Sequence, residues 1–420
     1  MKKILFIHHG EVPGGAPTSL ATTLIEIKQQ QPDWQLIVWC VNNSMKKYFE
    51  NIEGVTVELI SKPAKNLGKF LIWGGLFKTS NFFFSVLQDI RYSYGLMKLY
   101  KERILNLNPD IIHLNSSILF IPAWAAYSLK VKFIWHIREI IKVKKFSIRR
   151  LFLKWVYPKS DKIVLISESC FTNLNELLSL SEVIFNGVNI ESFLKQSLNP
   201  HYRKDYSINR ENVVLCHLGG INPRKGLADC IEIFNKLPEN VSFLIAGPKI
   251  QSINNKISSK DKISWVIEDI LIRLRIKEYR FLNYSKRVEY YFQMLNTNAR
   301  DRIYFLGEIS DVGTLLSESD ILLFTATEPH FPRPVYEAWL MKKLVIAYDI
   351  NGVNTEVKDG LNGILTYPNS STLYLKINDY FNKKIITHDY FLLGYKQAVE
   401  RFSIVRNTSE FIEIINSVSS

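Results

Sequence analysis

Residues 320–340 read DILLFTATEPHFPRPVYEAWL. The apolar run Ile321–Phe324 is short and bounded by polar residues, the pattern of a strand buried on both faces of a parallel sheet. A polar loop follows, stiffened by Pro329, Pro332 and Pro334, and the residues after Pro334 have helical spacing. A strand leading through a loop into a helix is half of a βαβ unit, and in open α/β sheets ligands bind beyond the carboxyl ends of the strands. Glu328 therefore stands on a ligand-facing loop, with Glu337 in the first turn of the helix behind it. Pro334 suits that first turn, where its missing N–H costs nothing, and Val335 and Tyr336 would offer amides to an anion. The plain alternative is that both glutamates only cap a helix.

The same rhythm extends in both directions. KILFIHH, QLIVWCV, VTVELI, DIIHLN, KFIWHI and KIVLIS form one strand series, and NVVLCHLG, VSFLIAG, RIYFLG, DILLFTA, LVIAYD and NGILTYP form a second. Two consecutive series predict two similar α/β domains, over residues 1–199 and 200–396, divided near Pro200 in a polar stretch without sustained period. Residues 250–300 read as a basic, aromatic helical insertion in the second domain. The tail 397–420 has helical spacing and is expected to pack back on the first domain.

Two glycine-bearing loops stand at the heads of the two series. HHGEVPGGAPTSL places Gly10, Gly14 and Gly15 between a strand and a helix, where backbone amides can approach a phosphate. Its spacing departs from the dinucleotide fingerprint GxGxxG, which disfavours a nicotinamide enzyme. HLGGINPRKGL repeats the arrangement with Gly219, Gly220, Arg224 and Lys225, and a lysine there is a point charge suited to a diphosphate. A turn shaped only by backbone demands is the competing reading of each loop.

The chain has 420 residues and 47% hydrophobic content, enough for a large core. Its formal charge of +13 favours an anionic partner. Cys40, Cys170, Cys216 and Cys230 are scattered without metal or redox spacing, which suits a cytoplasmic protein with reduced thiols. The apolar run in MKKILFIHHG is too short for a secretion signal. The most apolar segment, FLIWGGLFKTSNFFFSVL from Phe70, is interrupted by Lys78 and Asn81 and falls short of the roughly 20 apolar residues a membrane span needs. No Asp-x-Asp triplet suggests a metal site, and His8, His9 and His113 have no partner visible in the sequence.

Taken in order, GGAPTSL, PDIIHLN, WHIRE, LISES, IFNGVN, GGINPRKG, IYFLG, SESDILLFTATE, RPVYEAW and DINGVNTEVKDGLNGILTYP cover nearly the whole chain. This succession resembles the family-four retaining glycosyltransferases of GT-B fold. The resemblance implies two Rossmann-like domains facing each other across a cleft. It also implies transfer from a nucleotide-diphosphate sugar without cofactor or metal.

Carried onto this chain, the resemblance makes Glu328 the residue that holds the donor sugar and Glu337 the one that binds the nucleotide ribose. Lys225 would neutralise the diphosphate, with Gly220, Arg224, Arg333, Pro334 and Val335 completing the donor contacts. Gly15 would let the first-domain loop close on the donor, and His136 would stand near the transferred sugar. The chain departs from the family in having eight residues between Glu328 and Glu337, one more than usual, and Gly220 where the family commonly has arginine.

The resemblance points to a saccharide or lipid-linked acceptor in bacterial surface glycan synthesis, such as O-antigen, capsule or exopolysaccharide. Residues 137–162 alternate apolar residues with Lys142, Lys144, Lys145, Arg149, Arg150 and Lys154, and such a segment can lie on an anionic membrane or simply present a solvated face. The rival readings are a binding scaffold that has lost catalysis, a sugar-nucleotide epimerase on the same fold and, disfavoured, a nucleic-acid-binding protein.

Overall fold

The computed structural model describes residues 2–11, 15–61, 82–248, 257–273, 282–329, 331–382 and 388–419. Residues 70–81 of the most apolar segment, Gly14 and His330 lie outside them. The chain forms two compact units, Met1–Asn189 with Arg401–Ser420, and Ile190–Glu400.

The first unit is built from β1 (Lys3–Ile7), α1 (Gly15–Gln30), β2 (Gln35–Cys40), α2 (Asn43–Glu50), β3 (Val55–Leu59), α3 (Phe82–Leu107), β4 (Ile111–Leu114), α4 (Phe120–Leu129), β5 (Phe133–Ile137), α5 (Ile148–Val156), β6 (Lys162–Leu165) and β7 (Ser181–Val183). The seven described strands of its main sheet are parallel in the order β3-β2-β1-β4-β5-β6-β7, and Ile141–Lys142 pairs with Phe171–Thr172 in a separate small sheet. The strands are rich in Ile, Val, Leu and Phe because helices cover both faces.

The second unit contains β8 (Val213–Leu218), α6 (Leu227–Ile233), β9 (Val241–Ala246), α7 (Ser259–Arg273), α8 (Tyr284–Gln293), β10 (Ile303–Gly307), α9 (Val312–Ser317), β11 (Ile321–Phe324), α10 (Arg333–Leu340), β12 (Leu344–Tyr348), β13 (Ile364–Thr366), α11 (Ser370–Phe381) and most of α12 (His388–Phe402). Its six strands are parallel in the order β10-β9-β8-β11-β12-β13. In both units the first strand lies between strands whose connections run in opposite directions. That is the switch point of a doubly wound, Rossmann-like sheet.

The unit boundary falls at Asn189 rather than near Pro200, because residues after it belong to the second unit's packing. Gln196 accepts from the Gly313 amide at 2.7 Å, and Glu318 accepts from the backbone amides of His201, Tyr202 and Arg203. Of residues 250–300, read from the sequence as an insertion, 250–256 and 274–281 lie outside the described residues, and the described remainder is only partly an insertion. Helix α8 lies on the crossover between β9 and β10, with Tyr284 and Val288 in the main core and the Tyr284 hydroxyl accepting from the Ala228 amide of the neighbouring helix α6 at 2.9 Å.

The last helix, α13 (Ile404–Ser419), lies on the first unit. Phe411, Ile412, Ile414, Ile415 and Val418 join Ile4, Phe6, Leu20, Leu24 and Ile134 in one apolar core. The chain enters this helix through backbone bonds from Val188 N to Phe402 O and from Ile404 N to Val188 O, at 2.7 and 3.0 Å. An added Cβ at Gly187 would stand 2.4 Å from Ile404 Cα, so the glycine of IFNGVN permits this close approach. No described helix is long and apolar enough to cross a membrane.

Candidate functional site

Strand β8 pairs with β11, with Leu215 opposite Ile321 and Cys216 opposite Leu322. The loops at their carboxyl ends are therefore neighbours despite the sequence distance between them. After β8 the backbone turns through Gly219 and Gly220 at φ 132° and 53°. A Cβ on Gly220 would lie 2.5 Å from Pro248 O, so no side chain fits where the family commonly places arginine. Asn222 then caps a short turn by accepting from the Arg224 amide at 3.0 Å.

Gly226 closes the turn at φ 70°, and its missing Cβ would be 2.0 Å from Thr325 O. The contact brings the lysine loop directly against the exit of β11. Four hydrogen bonds hold it there. Thr325 Oγ1 and His217 Nε2 both donate to Lys225 O at 2.9 Å, while Thr327 donates through Oγ1 to Pro223 O and through N to Arg224 O, at 3.0 and 3.1 Å.

The side chains follow from this clamp. The Lys225 stem runs along Gly219, whose Cβ would meet Lys225 Cγ at 2.6 Å, and Nζ stands 5.9 Å from the Phe324 ring centroid. Burial, and then the charge of Arg224, draw the lysine down to about 8. Arg224 Nε lies 3.0 Å from Glu328 Oε2, and Arg333 Nε lies 2.7 Å from Glu337 Oε1. Burial raises the Glu337 carboxyl above its ordinary range, against the opposing pull of Arg333. The second unit thus brings together Gly220, Arg224, Lys225 and Glu328, and follows them with Arg333, Pro334, Val335 and Glu337 on α10.

One expectation there is corrected. Helix α10 begins at Arg333, and the Val335 amide donates to Pro332 O at 2.9 Å, so it is committed within the helix start rather than offered to an anion. The prolines cause this by holding the entry chain in a tight turn.

Gly15 and His136 belong to the first unit. A Cβ on Gly15 would meet no described atom within 4 Å, whereas one on Gly10 would stand 2.4 Å from His8 Nε2, so steric demand falls on Gly10. His136 is buried with its ring turned into the unit. Its Nδ1 is 3.1 Å from His113 Nε2, and its ring centroid lies 5.9 Å from that of Phe411 on α13. Burial first and Arg138 second hold both histidines well below 6.5, so they are neutral at neutral pH. Their placement is that of core residues under a helix, not of side chains open to a sugar.

Sequence reasoning did not single out the arginine that stands at the same strand end as His136. Arg138, two positions on and hence on the same face, donates through Nε to Asn115 Oδ1 and through Nη1 to Asn186 Oδ1 and Ser19 Oγ. Asn115 Nδ2 in turn donates to His8 Nδ1 at 3.0 Å. The period of two in DIIHLN and WHIRE was the available signal. Thr325, Thr327 and His217 carried none, since their work is to hold backbone oxygens. Among the described residues no group of three or more His, Cys, Asp or Glu side chains is arranged to hold a metal.

Two family models match the chain. One described as glycosyl transferases group 1 matches residues 199–390, and one described as glycosyltransferase family 4 matches residues 35–192. The chain belongs to the group 1 glycosyltransferases of GT-B fold. This glycosyltransferase is 20% identical over 297 residues to N-acetyl-alpha-D-glucosaminyl L-malate synthase of Bacillus anthracis, covering 67% of its own length and 68% of the relative's. Among solved structures it is similar to HepE of Anabaena in complex with UDP and glucose, at TM-score 0.68 and 21% identity over 99% of this chain and 100% of that one. A glycosyltransferase of Rickettsia africae matches at TM-score 0.71 and 19% identity, over 99% and 98% of the two chains.

Proposed function

We propose that this glycosyltransferase takes a sugar from a nucleotide-diphosphate donor, retains its anomeric configuration, and delivers it to a saccharide or lipid-linked acceptor of a bacterial surface glycan at the cytoplasmic face of the membrane. The carrying observation is the clamped pair of loops at β8 and β11, which sets Lys225, Arg224–Glu328 and Arg333–Glu337 at the carboxyl end of the sheet's central strands. The UDP and glucose in the HepE structure support a UDP-sugar as donor.

When the sugar–phosphate bond breaks, negative charge grows on the departing diphosphate and positive charge on the sugar. In this reading Lys225 meets the first with a proton already in place, assisted by Arg224 and Arg333. These cations supply the compensation the leaving group requires, so we assign no metal or further cofactor. Glu328 holds the donor sugar. Glu337 accepts from ribose hydroxyls, which would favour the carboxylate that burial disfavours.

The test is proton NMR of the protein with a panel of nucleotide sugars, alongside Lys225→Ala and Glu337→Gln. Contact with a single donor and slow release of its sugar are expected, both reduced by roughly tenfold or more in each variant. Glu337→Gln should leave thermal stability at neutral pH unchanged or raised. A carboxyl whose folded pKa is raised contributes stability only at low pH and loses it as pH rises through that pKa, so removing the charge costs nothing there. A folded protein that contacts no donor would sink the assignment. Donor contact without turnover would favour the scaffold reading, which the glycine-only pocket at Gly220 motivates. Donor interconversion without acceptor would favour the epimerase.

A further inference from the structure

The first unit carries an aromatic and basic surface to which the proposed donor chemistry assigns no role. On α4, Trp124 and Tyr127 are exposed one turn apart, and on α5, Leu151 and Trp155 are 65% and 50% exposed, also one turn apart. The two helices meet through these rings, with centroids of Trp124 and Trp155 5.3 Å apart and those of Trp124 and Tyr127 5.8 Å apart. Phe146, immediately before α5, is 91% exposed. Apolar side chains this large, left open to water on and just before two touching helices, mark a surface with a second use.

The charge around them indicates which use. From Phe120 to Ser160 there are ten lysines and arginines and one acid, Glu139. Part of this charge is spent within the unit. Arg150 and Lys154 pair with Glu176 at 2.6 and 3.0 Å, and Lys132 pairs with Asp161 at 3.1 Å. The basic face read along residues 137–162 is therefore narrower than the sequence suggested.

The remaining cations edge the rings. Lys159 Nζ stands 5.3 Å from the Tyr127 centroid and 5.5 Å from that of Trp155, and Lys145 Nζ stands 5.7 Å from that of Phe146. Lys130, Lys144 and Lys145 are exposed without an ion pair among the described residues.

We infer that this α4–α5 face docks on an anionic lipid bilayer, with Trp124, Tyr127, Leu151, Trp155 and Phe146 entering the interface and Lys130, Lys144, Lys145 and Lys159 at headgroup level. Trp and Tyr are the side chains that favour the water–lipid boundary, because a large apolar ring is joined to a polar edge. Lysines beside them extend their charge to anionic headgroups while their stems stay on apolar surface. A protein partner of opposite charge would satisfy the lysines, but it would need its own apolar counterface. A bilayer supplies both at once. The inference deepens the membrane location proposed above, on which it rests, by naming the face that docks, and it does not depend on the proposed reaction.

The full-length protein is sedimented with vesicles of phosphatidylglycerol and phosphatidylcholine in equal parts, and with phosphatidylcholine vesicles alone, without any donor present. The expected result is binding to the anionic vesicles, a blue shift of tryptophan emission, and loss of binding as salt rises to about 0.5 M. Trp124→Ser with Trp155→Ser, and separately Lys144→Glu with Lys145→Glu, should each weaken binding by roughly tenfold or more. Near-UV circular dichroism confirms that each variant is folded, and the lysine pair stands even if the tryptophan pair is not. Sugar release from soluble donor should be unchanged in both, so failure of docking and failure of the proposed reaction are told apart. Equal binding by wild type and both variants, or none by wild type, overturns the inference. A concentration-dependent dimer abolished by Trp155→Ser also overturns it, by assigning the face to a second copy of the chain.

Discussion

Lys225 holds its charge in surroundings that oppose it. With a folded pKa near 8 against an ordinary 10.5, the folded protein binds fewer protons than the unfolded chain between those values. Stability from this group therefore rises with pH across that window, and the full penalty is present below about pH 8. A diphosphate beside the amine would reverse the shift by favouring the ammonium. Donor binding above pH 8 should accordingly take up a proton, and affinity should fall as pH climbs from about 7 to 9. Calorimetry in two buffers of different ionisation heat measures the uptake. The same proton uptake in Lys225→Arg, whose guanidinium stays charged, would remove Lys225 as its source.

At the scale of elements, the site is a contact between the turn before α6 and the end of β11. Gly226 is the hinge of that contact, combining a left-handed φ with a backbone oxygen 2.0 Å from where a Cβ would stand. Gly226→Ala should lower the stability of the second unit by about 2 kcal/mol or more, since conformational strain and a backbone clash add. It should also weaken donor binding by displacing Lys225. Urea unfolding together with donor titration checks both, and Gly15→Ala serves as a comparison expected to cost little in stability, because its Cβ meets no described atom. Helix α10 adds its own constraint. Pro332 and Pro334 shape an entry that occupies the Val335 amide, so charge at this end comes from Arg333.

At the scale of the whole molecule, chain order and structural units do not coincide. The chain leaves the first unit at Asn189 and returns at Arg401. The final helix completes the first unit's core, with Phe411 against His113 at 5.1 Å between centroids. Deleting residues 404–420 should strip that core and leave the second unit's core intact. Hydrogen exchange followed by peptide should show lost protection in β1, β4 and β5 while β8 and β11 keep theirs. Loss confined to the second unit would contradict this division. The formal charge of +13 also belongs at this scale, since it raises attraction to any anion without naming one.

What the residues determined alone was the succession of elements. Alternation of short apolar strands with helical stretches, prolines at the mouth of α10, and glycines after β1 and β8 are local signals, because backbone sterics act over a few residues. They sufficed for two parallel α/β units, for locating Lys225 and Glu328 on loops at strand ends, and for locating Glu337 on the helix that follows. Tertiary structure decided which groups these side chains meet. Arg224 finds Glu328 because β8 and β11 pair, and His136 turns inward because α13 covers that face and leaves Arg138 to bind Asn115, Asn186 and Ser19. Such pairings join residues far apart in the chain, and their geometry arises only once the sheets and covering helices have packed.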